Sequence, residues 1–345
     1  MDSLTQYYRK INSGFLNKPW REGSAIGFDI YYKVVKGLSK PKFLIFAHYE
    51  PGNAKKIRDM MANETSQDFY IHETDLIKYY KDFLISDLEK DLKNGQPPEI
   101  ILQKSYGVTK LILKEYFENI GSSRILKTIK DVVLVIIDGF QTGNIGLIDA
   151  YKISDKDNDH YSHCASVGLY CILFGIGMKM DSQAIQELGQ GGMLLDIEKK
   201  SIPSRTLEKP GTLTAEEFLP IRKHPMAGKK VLEDLNCFNK NVLTMVAQHH
   251  EKYNGTGYPR GSAGTGIALF ARMASIADVF SALVAERHHR RPLTPYEALT
   301  EMKDHMPCHF DEQLLIDFIK LVVQSQRPSD PPLTRAIPAE SQIIS

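Results

Sequence analysis

Hydrophobic and polar positions along this chain follow two different periods. Near the N-terminus the period is two: Phe28 to Val35 and Lys42 to His48 read as strands joined by the polar run KGLSKP, a hairpin signal. Asp68 to His72 reads as a third, short strand. Between them, Pro51-Gly52-Asn53 can open a helix in which Ile57, Met60 and Met61 recur at helical spacing. Thr74 or Asp75 can cap another, whose residues Leu76, Ile77, Tyr80, Phe83, Leu84 and Leu88 share a face. The run NGQPPE at 94–99 then breaks the pattern. From Glu99 the period is helical. Val108, Leu111, Ile112 and Tyr116 form one stripe, and Ile125, Ile129, Val132 and Val133 another, with a turn at Gly121-Ser122-Ser123. The helical pattern continues from 150 to 325, interrupted by Gly- and Pro-rich loops at 201–214 and 253–266.

This patterning predicts a mainly α protein. It has a flexible N-terminus (1–24), a small α/β domain (25–98), connecting helices (99–150), a helical bundle (151–325) and a disordered tail (326–345) that carries Pro328, Pro331, Pro332 and Pro338. The apolar stripes of the connecting helices exceed what one short helix buries, which predicts pairing between chains as a homodimer.

Composition narrows the function. Lys plus Arg is 43 and Asp plus Glu 42, giving a net charge of +1. That balance argues against a chain that coats nucleic acid or an anionic membrane, since both need a basic excess. No apolar run is long enough to cross a bilayer and MDSLTQYYRK has no signal-peptide core, so the reading is cytoplasmic. Cys164, Cys171, Cys237 and Cys308 have no CxxC spacing and read as reduced thiols.

Histidine is the informative residue. Of 11, seven lie between 224 and 309, and His249-His250 is followed directly by the glycine-rich run EKYNGTGYPRG. Adjacent histidines in mid-helix point about 100° apart, but at a helix end the backbone can turn both inward. Imidazole suits iron, zinc and related ions, and the glycines imply tight turns or a close backbone approach.

Four blocks in order, LLDIEKKSIPSRTLEKPGTLTAEEF, HPMAGKKVL, HHEKYNGTGYPRG and IALFARMASIADVFSALVAERHHR, resemble an HD-GYP domain. Members of that family are phosphodiesterases that hydrolyse cyclic di-GMP on a helical bundle holding two or three ions, commonly iron or manganese. The resemblance implies metal ligands at Asp196, His224, His249, His250 and Asp278, with Asp196 bridging, and catalytic roles for Asp196 and Lys199. It implies substrate contacts from Lys199, Tyr258, Arg287 and Arg290.

Two ligands depart from the pattern. The first residue of the HD doublet is Leu195, and the earlier histidine aligns with Ala165. His160 and His163 are offset from Ala165 by about 140° and 200° around a helix. Glu198 and Ser281 also depart. With one complete quartet, Asp196, His224, His249 and His250, the expectation is at most one transition-metal ion. The chain then reads as a degenerate member in cyclic di-GMP signalling, with little or no turnover, acting as a nucleotide receptor or a scaffold that meets other signalling proteins through the GYP loop. The alternatives are an active metal-dependent phosphodiesterase and a ligand-free interaction module.

Overall fold

The computed structural model describes residues 8–10, 28–34, 42–49, 59, 68–118, 122–141, 145–154, 159–207, 209, 211–286 and 291–326. By compactness the chain divides into Met1–Gly139 and Phe140–Ser345.

The first unit has a four-stranded antiparallel sheet made of β1 (Tyr8–Lys10), β2 (Phe28–Val34), β3 (Lys42–Tyr49) and β4 (Phe69–His72), in the order β1-β4-β2-β3. Alternation does the sorting: Phe28 and Ile30 on β2, and Phe69 and Ile71 on β4, all point to the buried side. The expected hairpin is present as β2 against β3, with a register shift between Ile30 and Tyr31. β1 lies in the segment whose polarity predicts a flexible N-terminus; it pairs antiparallel with β4.

The helix anticipated after Thr74 is composite. A 3-10 turn (Glu73–Asp75) leads into α1 (Leu76–Tyr79), a π-helical stretch (Tyr80–Ile85) and α2 (Ser86–Lys93). α3 (Pro98–Glu118) and α4 (Ile129–Gln141), the latter entered through a 3-10 turn at Ser122–Thr128, follow the break at 94–99. Ile125, Ile129, Val132 and Val133 are fully buried, whereas Leu111 is 37% exposed and leaves its stripe. The helix read at 51–61 falls outside the described residues apart from Asp59, which is helical.

The second unit is all helical: α5 (Leu147–Ile153), α6 (His160–Gly177), α7 (Ser182–Leu194), the short α8 (Ser204–Leu207), α9 (Ala215–Leu235), α10 (Lys240–Gln248), α11 (Leu269–Val284), α12 (Pro295–Thr300) and α13 (Glu312–Gln324). Side-chain caps fix where they start: Asp159, Asp181, Thr214, Asn239, Thr294 and Asp311 each accept a backbone N–H of the first turn. Such caps contribute about 1 kcal/mol each.

α6 is the central helix, buried almost continuously from Cys164 to Gly175. Rings from two other helices pack on its own, Tyr170 on Phe280 at 5.2 Å, Phe280 on Phe318 at 5.3 Å and Phe318 on Phe174 at 5.1 Å. α6 and α7 cross where Gly168 faces Gly192. A Cβ on Gly192 would lie 3.0 Å from Gly168 Cα, and one on Gly168 would run into the Met193 side chain. Glycine therefore sets how closely these two helices approach. Among the described residues no helix is long and apolar enough to cross a membrane.

Candidate metal centre

Five segments of the second unit deliver side chains to one buried point. Asp196 follows the end of α7 and opens a 3-10 turn (Ile197–Ser201) that carries Lys199. His224 comes from the middle of α9. His249 is the C-cap of α10 and His250 the residue after it, so the helix end does turn both rings inward. Asp278 comes from α11 and His163 from the first turn of α6.

The donors form two groups that share Asp196. Asp196, His224, His249 and His250 make the first, and His163, Asp196 and Asp278 the second. Asp196 Oδ1 lies 3.0 Å from His224 Nε2 and 3.5 Å from His249 Nε2. Its Oδ2 faces the other way, 2.6 Å from Lys199 Nζ and 3.6 Å from His163 Nε2. His163 Nε2 is 2.9 Å from Asp278 Oδ1, and His250 Nδ1 lies 3.8 Å from Asp278 Oδ2.

Hydrogen bonding fixes how the rings present themselves. His224 Nδ1–H donates to Ile221 O at 2.7 Å, and His249 Nδ1–H donates to Val246 O at 2.8 Å. A carbonyl only accepts, so the proton sits on Nδ1 and the Nε2 lone pair of each ring is the one turned inward to ligate. The two Nε2 atoms stand 3.2 Å apart and both face Asp196 Oδ1. Asp196 Oδ1 and His250 Nε2 have no hydrogen-bond partner although both are buried. Convergent lone pairs with nothing to donate between them repel, and a cation held among them reverses that. This is the arrangement of a metal site whose ligands are oriented by carbonyls behind them. Three imidazoles and a carboxylate fit a transition ion. His163 is likewise held from behind, with Nδ1 3.1 Å from Ser281 Oγ. Ser281 thus still offers a polar support where the family pattern has aspartate.

The charges agree with this. Burial opposes the ionised form of Asp196, but the Lys199 ammonium beside it outweighs burial and holds the carboxyl well below its usual range. Asp278 is also held low, with burial overcome chiefly by His163. Burial lowers His224 and, with His249 beside it, lowers His250 further, which keeps both rings neutral and able to ligate. Burial raises the Tyr258 hydroxyl, so it stays protonated and able to donate.

Two sequence expectations change. The histidine expected at position 165 is His163. Asp159 caps α6, and from that start His163 and Tyr170 lie seven residues apart on one face. Tyr170 packs on Phe280 of α11, the helix that carries Asp278, so His163 points there too. Ala165 lies about 200° round the helix, inside the core, and its replacement removes no ligand. The limit of one ion rested on two missing histidines; a second group of donors, His163, Asp196 and Asp278, is nonetheless assembled. Leu195 remains fully buried and cannot ligate.

Among the substrate-contact candidates, Lys199 faces the centre and Tyr258 lies over it, 4.8 Å from the His250 ring. Arg287 and Arg290 lie outside the described residues. Glu251, which sequence reasoning passed over, is 3% exposed. Its carboxylate accepts from Arg260 N at 2.8 Å and Ser262 N at 3.0 Å, tying down the loop that carries Tyr258. Gly257 lets that loop close, since a Cβ there would strike the backbone of His250 and Lys252.

Residues 151–314 match the family model described as HD domain. A cyclic di-GMP phosphodiesterase of Pseudomonas aeruginosa is 34% identical over 176 residues, covering 51% of this chain and 42% of that protein. A 3'3'-cGAMP-specific phosphodiesterase of Vibrio cholerae is 32% identical, covering 47% and 35%. A solved structure of an HDG"Y"P protein from Bdellovibrio bacteriovorus superposes with a TM-score of 0.62 at 19% identity, over 92% of this chain and 99% of that one. Residues 151–314 are an HD domain. The last likeness speaks for the fold, mainly α with a small N-terminal α/β unit. This HD domain reads Leu195-Asp196 where the family doublet is His-Asp, yet keeps the shared aspartate and the histidines around it. The chain spans less than half the length of the curated relatives it matches.

Proposed function

We propose that this HD domain binds a cyclic dinucleotide over a metal centre with two unequal positions and hydrolyses one of its phosphodiester bonds. The observation that carries the reading is His163, whose Nε2 joins Asp278 and Asp196 and gives the second position a nitrogen and two carboxylates. Asp196, His224, His249 and His250 hold the tighter ion, iron or manganese, and His163, Asp196 and Asp278 the weaker one. Bound ions supply charge neutralisation and activation of water for attack on phosphorus. The chain supplies the rest. Asp196 faces both positions with different oxygens. Lys199 meets a phosphate oxygen as a buried cation, and Arg287 and Arg290 add guanidinium forks suited to bidentate phosphate contacts. Tyr258, kept neutral by burial, donates a hydrogen bond over the quartet. The names of the relatives support cyclic di-GMP or a related cyclic dinucleotide as the substrate.

A second reading keeps the binding and drops the turnover. Leu195 favours it, because the second position is one nitrogen short, and a weakly held ion costs rate. Elemental analysis and cyclic di-GMP turnover on protein loaded with manganese or iron(II) separate the two. Hydrolysis abolished by His224→Ala and cut at least a hundredfold by His163→Ala supports the phosphodiesterase. Binding with a single ion and no turnover leaves the receptor. Neither metal nor nucleotide binding would overturn both.

A further inference from the structure

The outward face of α9 differs from an ordinary solvated helix face. Phe218 is 37% exposed, Leu219 49% and Met226 37%. Single exposed apolar residues need no explanation. These three share a stripe with Arg222, since positions 218, 222 and 226 are neighbours four residues apart, and Arg222 and Lys223 are themselves exposed. The stripe is also continuous with the metal centre. The Phe218 ring lies 5.7 Å from Tyr258, nearly perpendicular at 85°, and Tyr258 lies 4.8 Å from His250. Three rings therefore run from solvent to a metal-ligating histidine. One face of Tyr258 is taken by His250, so Phe218, at the outer end, is the ring left with surface to offer. Arg222 follows Phe218 by one helical turn on the same exposed face.

We propose that Phe218 and Arg222 form a nucleobase subsite beside the metal centre, in which a purine stacks on Phe218 while the Arg222 guanidinium meets its acceptor edge or the adjoining phosphate. This rests on the reading of the centre as a cyclic-dinucleotide site and adds which residues choose the base. Stacking on an exposed ring is tolerant of base identity but grows with the size of the π-face, so purines are preferred over pyrimidines. A carbonyl- and nitrogen-bearing purine edge matches the donor fork of an arginine. The occupant fits the place: a base attached through its ribose to a phosphate held at Lys199 and the metal ligands comes within reach of Phe218, two ring-to-ring steps away.

The test is calorimetric affinity of the full-length, manganese-loaded chain for cyclic di-GMP, cyclic di-UMP and dimethyl phosphate, with metal content measured in parallel. Phe218→Ala should weaken cyclic di-GMP about tenfold, as loss of one stacked base does. Phe218→Trp should bind at least as tightly as the parent. Phe218→Leu, which keeps apolar bulk but no π-face, should behave like the alanine variant. Metal content and the affinity for dimethyl phosphate, which has no base, should not move. The parent should prefer cyclic di-GMP to cyclic di-UMP, and Phe218→Ala should narrow that preference. Full affinity in Phe218→Leu would reduce Phe218 to an apolar cover and overturn the proposal, as would cyclic di-GMP binding within twofold of the parent in Phe218→Ala. Both results leave the metal-centre reading standing. A parent chain that holds its metal and binds no cyclic dinucleotide overturns that reading and the subsite with it.

Discussion

An imidazole ring has two nitrogens, and what holds the outer one decides what the inner one can do. His224 and His249 are each held by a carbonyl three residues earlier on their own helix, so helical geometry alone selects the ligating tautomer. Leu195 is the position where chemistry is lacking. Leu195→His should raise the affinity for the second ion, read as two ions per chain surviving dialysis where the parent retains about one. Overpacking a fully buried site costs about 1–3 kcal/mol, so the melting temperature should fall as metal content rises; unchanged metal content would show that Leu195 does not limit the second position. Ala165→His should lose stability on the same scale and gain no metal, because it points into the core. The sequence blocks single out Asp196, His224, His249 and His250, and these do come together. His163 was hidden because an offset of two residues carries a side chain to the far side of a helix, and only the cap at Asp159 sets the phase that makes 163 the inward position.

Helices and loops were legible where one face is buried and water touches the other. Ile125, Ile129, Val132 and Val133 read correctly for that reason, and all are buried. In the composite run from Glu73 to Lys93, Leu76, Tyr80, Leu84 and Leu88 are buried as their spacing predicts; periodicity does not show the π-helical stretch, around which Tyr79 and Ile85 are buried too. The GYP loop has little apolar content of its own, and its order depends on Glu251. Glu251→Ala leaves two backbone donors without their acceptor, and buried unmet donors cost about 1–3 kcal/mol each. Amide exchange at 252–262 should quicken by tenfold or more while helical circular dichroism holds; unchanged exchange would mean that the loop is fixed by something else. At the start of α12, Glu297 is paired with Arg291 at 2.7 Å and its carboxyl is held down to about 2. A carboxyl lowered on folding stabilises the folded chain above its unfolded pKa of about 4.3 and loses that contribution as pH falls towards 2. Glu297→Gln should therefore flatten the stability profile between about pH 4.5 and 2, and identical profiles would remove the pair from any role there.

For the molecule as a whole, the fold class was readable because two periods in one chain, two then helical, leave few architectures. What patterning could not supply was β1, three residues whose pairing with β4 depends on a strand far away in sequence. Ligand linkage offers a measurement on the full chain. A metal that binds only the folded bundle stabilises it by about 2.7 kcal/mol at a hundred times its dissociation constant. Manganese should thus raise the unfolding midpoint of the parent, and His249→Ala should abolish the rise. An equal rise in both would place the ion elsewhere.

The crossing of α6 and α7 at Gly168 and Gly192 ties geometry at the core to chemistry at the surface of the site. His163 rides on one helix and Asp196 follows the end of the other, so the gap between the two helices is a ruler for the distance between these two ligands. A single methyl group added at Gly192 would spread the helices by pressing on Gly168 and Cys171, without touching a donor atom. Its first symptom would be a centre that releases its weaker ion while the chain still folds. Variation at these two small residues would therefore tune the spacing of the donors as a dial does, leaving every donor in the sequence unchanged.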